Sequence, residues 1–103
     1  MGQSQSNIQT NFDVATNRDL PIQVRIDYCN SWGYYDGVIK VSNFIKQYYP
    51  RATIVERPIP GYTGCFEIYV NDQLVHSKKN GQGFVRDGEK FILQVKEVAE
   101  GKQ

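Results

Sequence analysis

The stretch Ile22-Gln-Val-Arg-Ile-Asp-Tyr-Cys29-Asn-Ser-Trp32-Gly-Tyr-Tyr35 does most to limit what this chain can fold into. Ile22, Val24, Ile26 and Tyr28 alternate with Gln23, Arg25 and Asp27, the pattern of a strand with one buried face. Cys29-Asn30-Ser31-Trp32-Gly33 breaks the alternation as a loop. From about Tyr35 to Tyr49 the period changes. Val38, Val41, Ile45 and Tyr48 recur at spacings of three or four, which predicts an amphipathic helix. Pro50 ends it because its ring cannot continue the helical ladder, and Lys46 sits in the last turn, where the helix dipole favours a cation. A cysteine therefore falls between the end of a strand and the start of a helix. Helix N-terminal amides carry partial positive charge, so a thiol placed there is expected to ionise readily.

The rest of the chain continues this unit. Ala52 to Arg57 is a β-rich run, and a strand, helix and strand this close together predict a right-handed crossover with the two strands parallel. Pro58 to Gly64 reads as a loop, restricted by two prolines and turned by two glycines. In the run Cys65 to Val70, Phe66, Ile68 and Val70 share one face while Cys65, Glu67 and Tyr69 share the other. Asn71-Asp72 is a tight turn, and Gln73 to Ser77 returns as a fourth strand. Lys78 to Gly83 is a polar loop. Asp87 offers an N-cap for a last helix striped by Phe91, Ile92, Val95 and Val98, and Glu100 to Gln103 is expected to fray.

The expected class is α/β: a β-α-β-β-β-α chain folded as a thioredoxin-like two-layer sandwich with a four-stranded mixed sheet. Strand one is expected at the centre, with strand two parallel on one side and strand three antiparallel on the other. Both helices belong on one face, which leaves Gln23, Arg25, Asp27, Glu67 and Tyr69 on the opposite one.

A chain of 103 residues holds one such domain, expected over residues 21–100. Twelve Lys and Arg against eleven Asp and Glu give a net charge of +1, which offers nothing to a polyanion, so nucleic acid is not an expected partner. No run of about 18 apolar residues suggests a membrane span, and no apolar segment near the start suggests a secretory signal. Two cysteines without such a signal do not read as a disulfide framework, so a reducing cytoplasm is the expected compartment. Residues 1–20 are rich in Gln, Ser, Asn and Thr and are expected to form a disordered tail. Met1-Gly2-Gln3-Ser4-Gln5-Ser6 fits the short pattern for N-myristoylation at Gly2, equally the sequence of an unmodified polar start. One such chain binds membrane only marginally without a second signal, and no polybasic cluster or nearby cysteine supplies one.

Cys29 is the candidate nucleophile, since thiolate is the species that attacks a disulfide. The competing reading is a small buried cysteine at a strand end. Trp32 presents a large apolar face and one N–H donor, either as a docking aromatic or as a loop residue folded over the domain edge. Cys65 is the candidate resolving thiol: if strand three runs antiparallel beside strand one, its start lies next to the end of strand one. His76 has no second ligand near it in sequence and reads as a strand-face histidine, so no metal is expected. The Lys78–Gly83 loop lacks a phosphate-binding pattern, and no resident cofactor is expected.

The chain resembles the selenoprotein W-like, or Rdx, family, which includes the migration and invasion enhancer proteins. The resemblance rests on Val24-Arg-Ile-Asp-Tyr-Cys29 with Gly33-Tyr34 after it, Gln47-Tyr-Tyr-Pro50, Thr63-Gly-Cys-Phe-Glu-Ile68, and Leu74-Val-His-Ser-Lys-Lys79 followed by Asn80-Gly-Gln-Gly-Phe-Val85. It covers residues 22 to about 99. It implies a thioredoxin-like fold and a cytosolic redox role linked to glutathione or thioredoxin, with protein partners. In that family the redox motif is Cys-x-x-Sec or Cys-x-x-Cys. Cys29 matches its first position, and Trp32 stands where the selenocysteine or second cysteine belongs. Two origins for Trp32 stand open: a natural tryptophan, or a selenocysteine codon, one base away, read as tryptophan. Two functions stand open as well. One is a thiol redox protein in which Cys29 forms mixed disulfides with glutathione or a partner protein. The other is a non-catalytic interaction module on the same fold.

Overall fold

The computed structural model describes residues 14–101. Its elements are β1 (Gln23–Cys29), α1 (Tyr34–Tyr48), β2 (Thr53–Ile59), β3 (Phe66–Val70), β4 (Gln73–Ser77) and α2 (Gly88–Glu100). The sheet order is β2-β1-β3-β4. β1 pairs in parallel with β2 and antiparallel with β3, and β3 and β4 form an antiparallel hairpin. The order and directions are those expected of the thioredoxin-like sandwich.

The alternation in β1 decides which face is covered. Val24, Ile26 and Tyr28 are buried and pair across to Val70, Ile68 and Phe66. The same cluster takes in Val38, Val41 and Ile45 from α1 and Phe91, Ile92 and Val95 from α2, so both helices lie on one face. The other face carries Arg25 against the ring of Tyr69, 4.1 Å from its centroid, with Asp27 between Arg25 and Arg57 at 3.1 and 3.6 Å. At the β3–β4 turn Asn71 and Asp72 both adopt positive φ, as a two-residue hairpin requires. A bulge between Ile68 and Tyr69 then resets the β4 register. His76 falls on the core face, where its ring meets Phe66 and Phe91 edge-on and Nε2 lies 2.7 Å from the Gly83 carbonyl.

Several boundaries differ from the sequence expectation. β2 continues through Pro58 to Ile59, although Pro58 was expected to open a loop. β2 is an edge strand, where a proline costs the ladder no donor. Lys78–Gln82 is a single wide helical turn rather than an open loop, and it is held from below. Glu67 accepts hydrogen bonds from the Ser77 hydroxyl, from Lys79 N–H at 3.2 Å and from Phe66 N–H at 3.2 Å. Asp87 caps α2 by accepting from Lys90 N–H at 3.1 Å. The helix does not fray at Glu100, whose carboxylate accepts from the Tyr49 hydroxyl (2.6 Å), Asn17 N–H (2.9 Å) and Lys96 Nζ (3.1 Å). That junction draws residues 14–20 of the expected tail onto the domain. The Thr16 hydroxyl donates to the Tyr48 carbonyl at 2.8 Å, and Val14 and Leu20 pack on the core. Gly2 lies outside the described residues. Among the described residues no helix is long and apolar enough to cross a membrane.

Burial works to raise the Glu67 carboxyl, but its three donors outweigh burial and hold it below the usual carboxylate range. The linked stabilisation is therefore complete at neutral pH and is lost as pH falls through the folded-state value. Glu67→Ala is expected to destabilise the fold by about 1–3 kcal/mol, since it strands buried donors. It is also expected to flatten the acid limb of stability, measured as urea midpoints between neutral and acidic pH.

Candidate active site

The strand order dictates what happens at the end of β1. β2 and β3 flank β1 on opposite sides, and the chain leaves β2 at the same end of the sheet where β3 begins. The connection over residues 60–64 must therefore cross the C-terminal end of β1, and the residue there is Cys29. The Asn30 N–H donates to the Ile59 carbonyl at 3.0 Å and the Cys29 N–H donates to the Cys65 carbonyl at 2.8 Å, which fixes the crossover at both ends. Gly61 and Gly64 adopt φ of 90° and 70°, where an L side chain is strained, so the short bridge depends on both glycines.

This crossover buries Cys29, whose residue is 1% exposed, and brings polar groups onto its sulfur. Cys29 Sγ lies 2.9 Å from Ser31 Oγ and donates to the Gly61 carbonyl at 3.4 Å. The thiol is held below its ordinary value, first by the Ser31 hydroxyl. Desolvation opposes this, while the Gly64 backbone N–H, the Thr63 hydroxyl and the Ser31 backbone N–H reinforce it. None of these donors belongs to α1, whose N-cap is Gly33. The thiol is lowered as expected, and the groups that lower it are hydroxyls and loop amides before the helix rather than residues of α1. Ser31 and Thr63 carry this effect, and sequence reasoning gave neither a role. The available signal was a hydroxyl two residues after the cysteine.

Cys65 sits one residue before β3, just past the last ladder pair, Tyr28 and Phe66, where its carbonyl accepts from Cys29 N–H, and it is 6% exposed. Its sulfur accepts from the Thr63 hydroxyl at 3.2 Å. Both thiols are free. The structure thus brings Cys29 and Cys65 together at the end of β1, with the crossover meeting both sulfurs through the Gly61 carbonyl and the Thr63 hydroxyl. Trp32 is different. It is 99% exposed and neither covers Cys29 nor folds over the domain edge. With Asn30, Ser31, Gly61 and the 95% exposed Tyr62 it lines an open depression beside the thiol. Among the described residues no group of three or more His, Cys, Asp or Glu is arranged to hold a metal.

A family model described as the Rdx family matches residues 23–95. Selenoprotein W from Danio rerio is 37% identical over 86 residues, spanning 81% of this chain and all of that protein. Selenoprotein W from Ovis aries is 35% identical over 77 residues, spanning 74% of this chain and 88% of that protein. In three dimensions the chain is similar to a selenoprotein W-related protein from Vibrio cholerae, with a TM-score of 0.64 at 19% identity. That match covers 77% of this chain and 98% of the other.

Ser31→Ala is expected to slow alkylation of Cys29 by iodoacetamide at neutral pH and to move the midpoint of the pH–rate profile upward, toward that of a free cysteine. An unchanged midpoint would show that the Ser31 hydroxyl does not hold the thiolate.

Proposed function

From the premise that the chain belongs to the Rdx family, with selenoprotein W among its relatives, we propose that it is a thiol redox protein with Cys29 as its nucleophile. The observation that carries this reading is the donor cage on the Cys29 sulfur, which favours thiolate at the one position of the family motif this chain retains. The thiolate attacks one sulfur of a disulfide R–S–S–R. A Cys29–S–S–R bond forms, the R–S–S–R bond breaks, and the second R–S leaves as thiolate and takes a proton from solvent. The substrate is glutathione disulfide or a disulfide of a partner protein, and a reducing cytoplasm, where glutathione and thioredoxin operate, is the compartment that suits the cycle.

Burial of the sulfur makes access conditional on the crossover. Residues 60–64 close over Cys29, and their contact with it includes a Gly61 carbonyl that faces the sulfur. A carbonyl accepts a hydrogen bond from the thiol and repels the thiolate, so ionisation favours displacement of that part of the loop. The same step opens a path to the attacking atom.

One observation favours a second reading. Trp32 and Tyr62 stand almost fully exposed on either side of the depression, as a protein-docking pair would. On that reading the chain is a non-catalytic interaction module that uses this surface without forming a covalent bond.

Reduced protein incubated with glutathione disulfide at neutral pH is expected to gain one glutathione at Cys29, detected by intact mass and peptide mapping. Cys29→Ser is expected to abolish that adduct. Trp32→Cys restores the family's Cys-x-x-Cys spacing and is expected to raise turnover in a disulfide-reduction assay by about tenfold or more, equivalent to about 1.4 kcal/mol in the barrier. Absence of any adduct at Cys29, with W32C equally inert, would favour the docking module.

A further inference from the structure

We propose that Cys65 is the resolving thiol of this protein, replacing within the sheet the partner that Trp32 cannot provide. The inference rests on Cys29 being the nucleophile and adds how the chain releases what Cys29 captures.

Three observations carry it. The first is register. Tyr28 pairs with Phe66, and on the next rung Cys29 N–H donates to the Cys65 carbonyl at 2.8 Å. Residues directly opposite across an antiparallel ladder project from the same face, and at a hydrogen-bonded rung their Cα atoms lie about 5.5 Å apart. That spacing falls within the roughly 4.4–6.8 Å that a disulfide spans. Opposed Cβ atoms sit about 4.5–5.5 Å apart against about 3.5–4.5 Å in a disulfide, so closure asks for an approach of about 1 Å. The second observation is where that approach falls. Cys65 lies outside β3, and Gly64 precedes it, so the approach falls at the end of the crossover, beyond the ladder pairs from Tyr28–Phe66 onward.

The third is the Thr63 hydroxyl. It donates to Cys65 Sγ at 3.2 Å and also helps to hold the Cys29 thiol below its ordinary value. The same short loop therefore meets both sulfurs, through the Gly61 carbonyl at Cys29 and the Thr63 hydroxyl at Cys65.

The step balances. In the mixed disulfide Cys29–S–S–R, the Cys65 sulfur attacks Cys29 Sγ. The Cys29–S–S–Cys65 bond forms, the bond to R breaks, and the proton leaves Cys65 and ends on R–S as R–SH. Over both steps one disulfide R–S–S–R is reduced to two thiols, and the Cys29–Cys65 pair is oxidised by two electrons. An external thiol, glutathione or thioredoxin, returns the pair to its reduced state.

The test uses the full chain, reduced and then mixed with glutathione disulfide, with intact mass followed over time. Wild type is expected to pass through the glutathione adduct and release it, ending two hydrogens lighter at a rate independent of protein concentration. Tryptic mapping is expected to find the Cys29 and Cys65 peptides linked. Cys65→Ser and Cys65→Ala, each checked for native circular dichroism, are expected to stop at the adduct and accumulate it at least tenfold over wild type. A wild-type chain that keeps its glutathione, with no linked peptide, overturns the inference while leaving Cys29 as the nucleophile. A wild-type chain that never acquires glutathione and forms no linked peptide overturns both.

Discussion

The site depends on a single topological constraint. Strand β1 lies between β2 and β3, and the chain passes from β2 to β3 in six residues, 60–65. A connection that short between two strands flanking a third can run only across the end of the third. Whatever residue ends β1 is roofed by the crossover and shares its polar groups. Here that residue is Cys29. Its burial and its position beside Cys65 follow from the path of residues 60–64, which also adds to the lowering of the thiol that the Ser31 hydroxyl leads. Gly61 and Gly64 make the path sterically available, and Thr63 places its hydroxyl on the inside.

Much of the fold was legible in the sequence because each element carries its own periodicity. The alternation from Ile22 to Tyr28 identified both the strand and its buried face, and the three-four spacing from Val38 to Tyr48 identified α1. Asn71-Asp72 marked the hairpin by its tolerance of positive φ. The misjudged boundaries were those set by neighbours rather than by local preference. Pro58 continues β2 because an edge strand has an unused donor side, which no local pattern reports. Glu100 ends an ordered helix because Tyr49 and Asn17 reach it from distant parts of the chain.

The site was legible in part. Cys29 stood out through its place after a strand, and Cys65 followed from the antiparallel direction of β3. The source of the thiolate's stabilisation was not legible. Proximity in sequence pointed to the N-terminus of α1, whereas Thr63 and Gly64 arrive from more than thirty residues away across the β2–β3 connection. A sequence shows that Thr63-Gly64 precedes Cys65. It does not show that the two residues close over a thiol on the neighbouring strand. Trp32, which the resemblance puts at the second position of the family's motif, is almost fully exposed to solvent. The strand pairing meanwhile places a second thiol, Cys65, beside Cys29.

The central claim is that the hydroxyls and loop amides around the sulfur, the Ser31 hydroxyl first and the crossover roof with it, lower the Cys29 thiol. The most direct measurement is an NMR titration of the Cys29 Cβ resonance in the reduced protein and in Thr63→Val, which removes one hydroxyl of the roof and leaves α1 intact. The expected result is a wild-type midpoint below that of a free cysteine and a Thr63→Val midpoint shifted upward. A wild-type midpoint at or above the free value, or one that Thr63→Val leaves unmoved, would contradict the account.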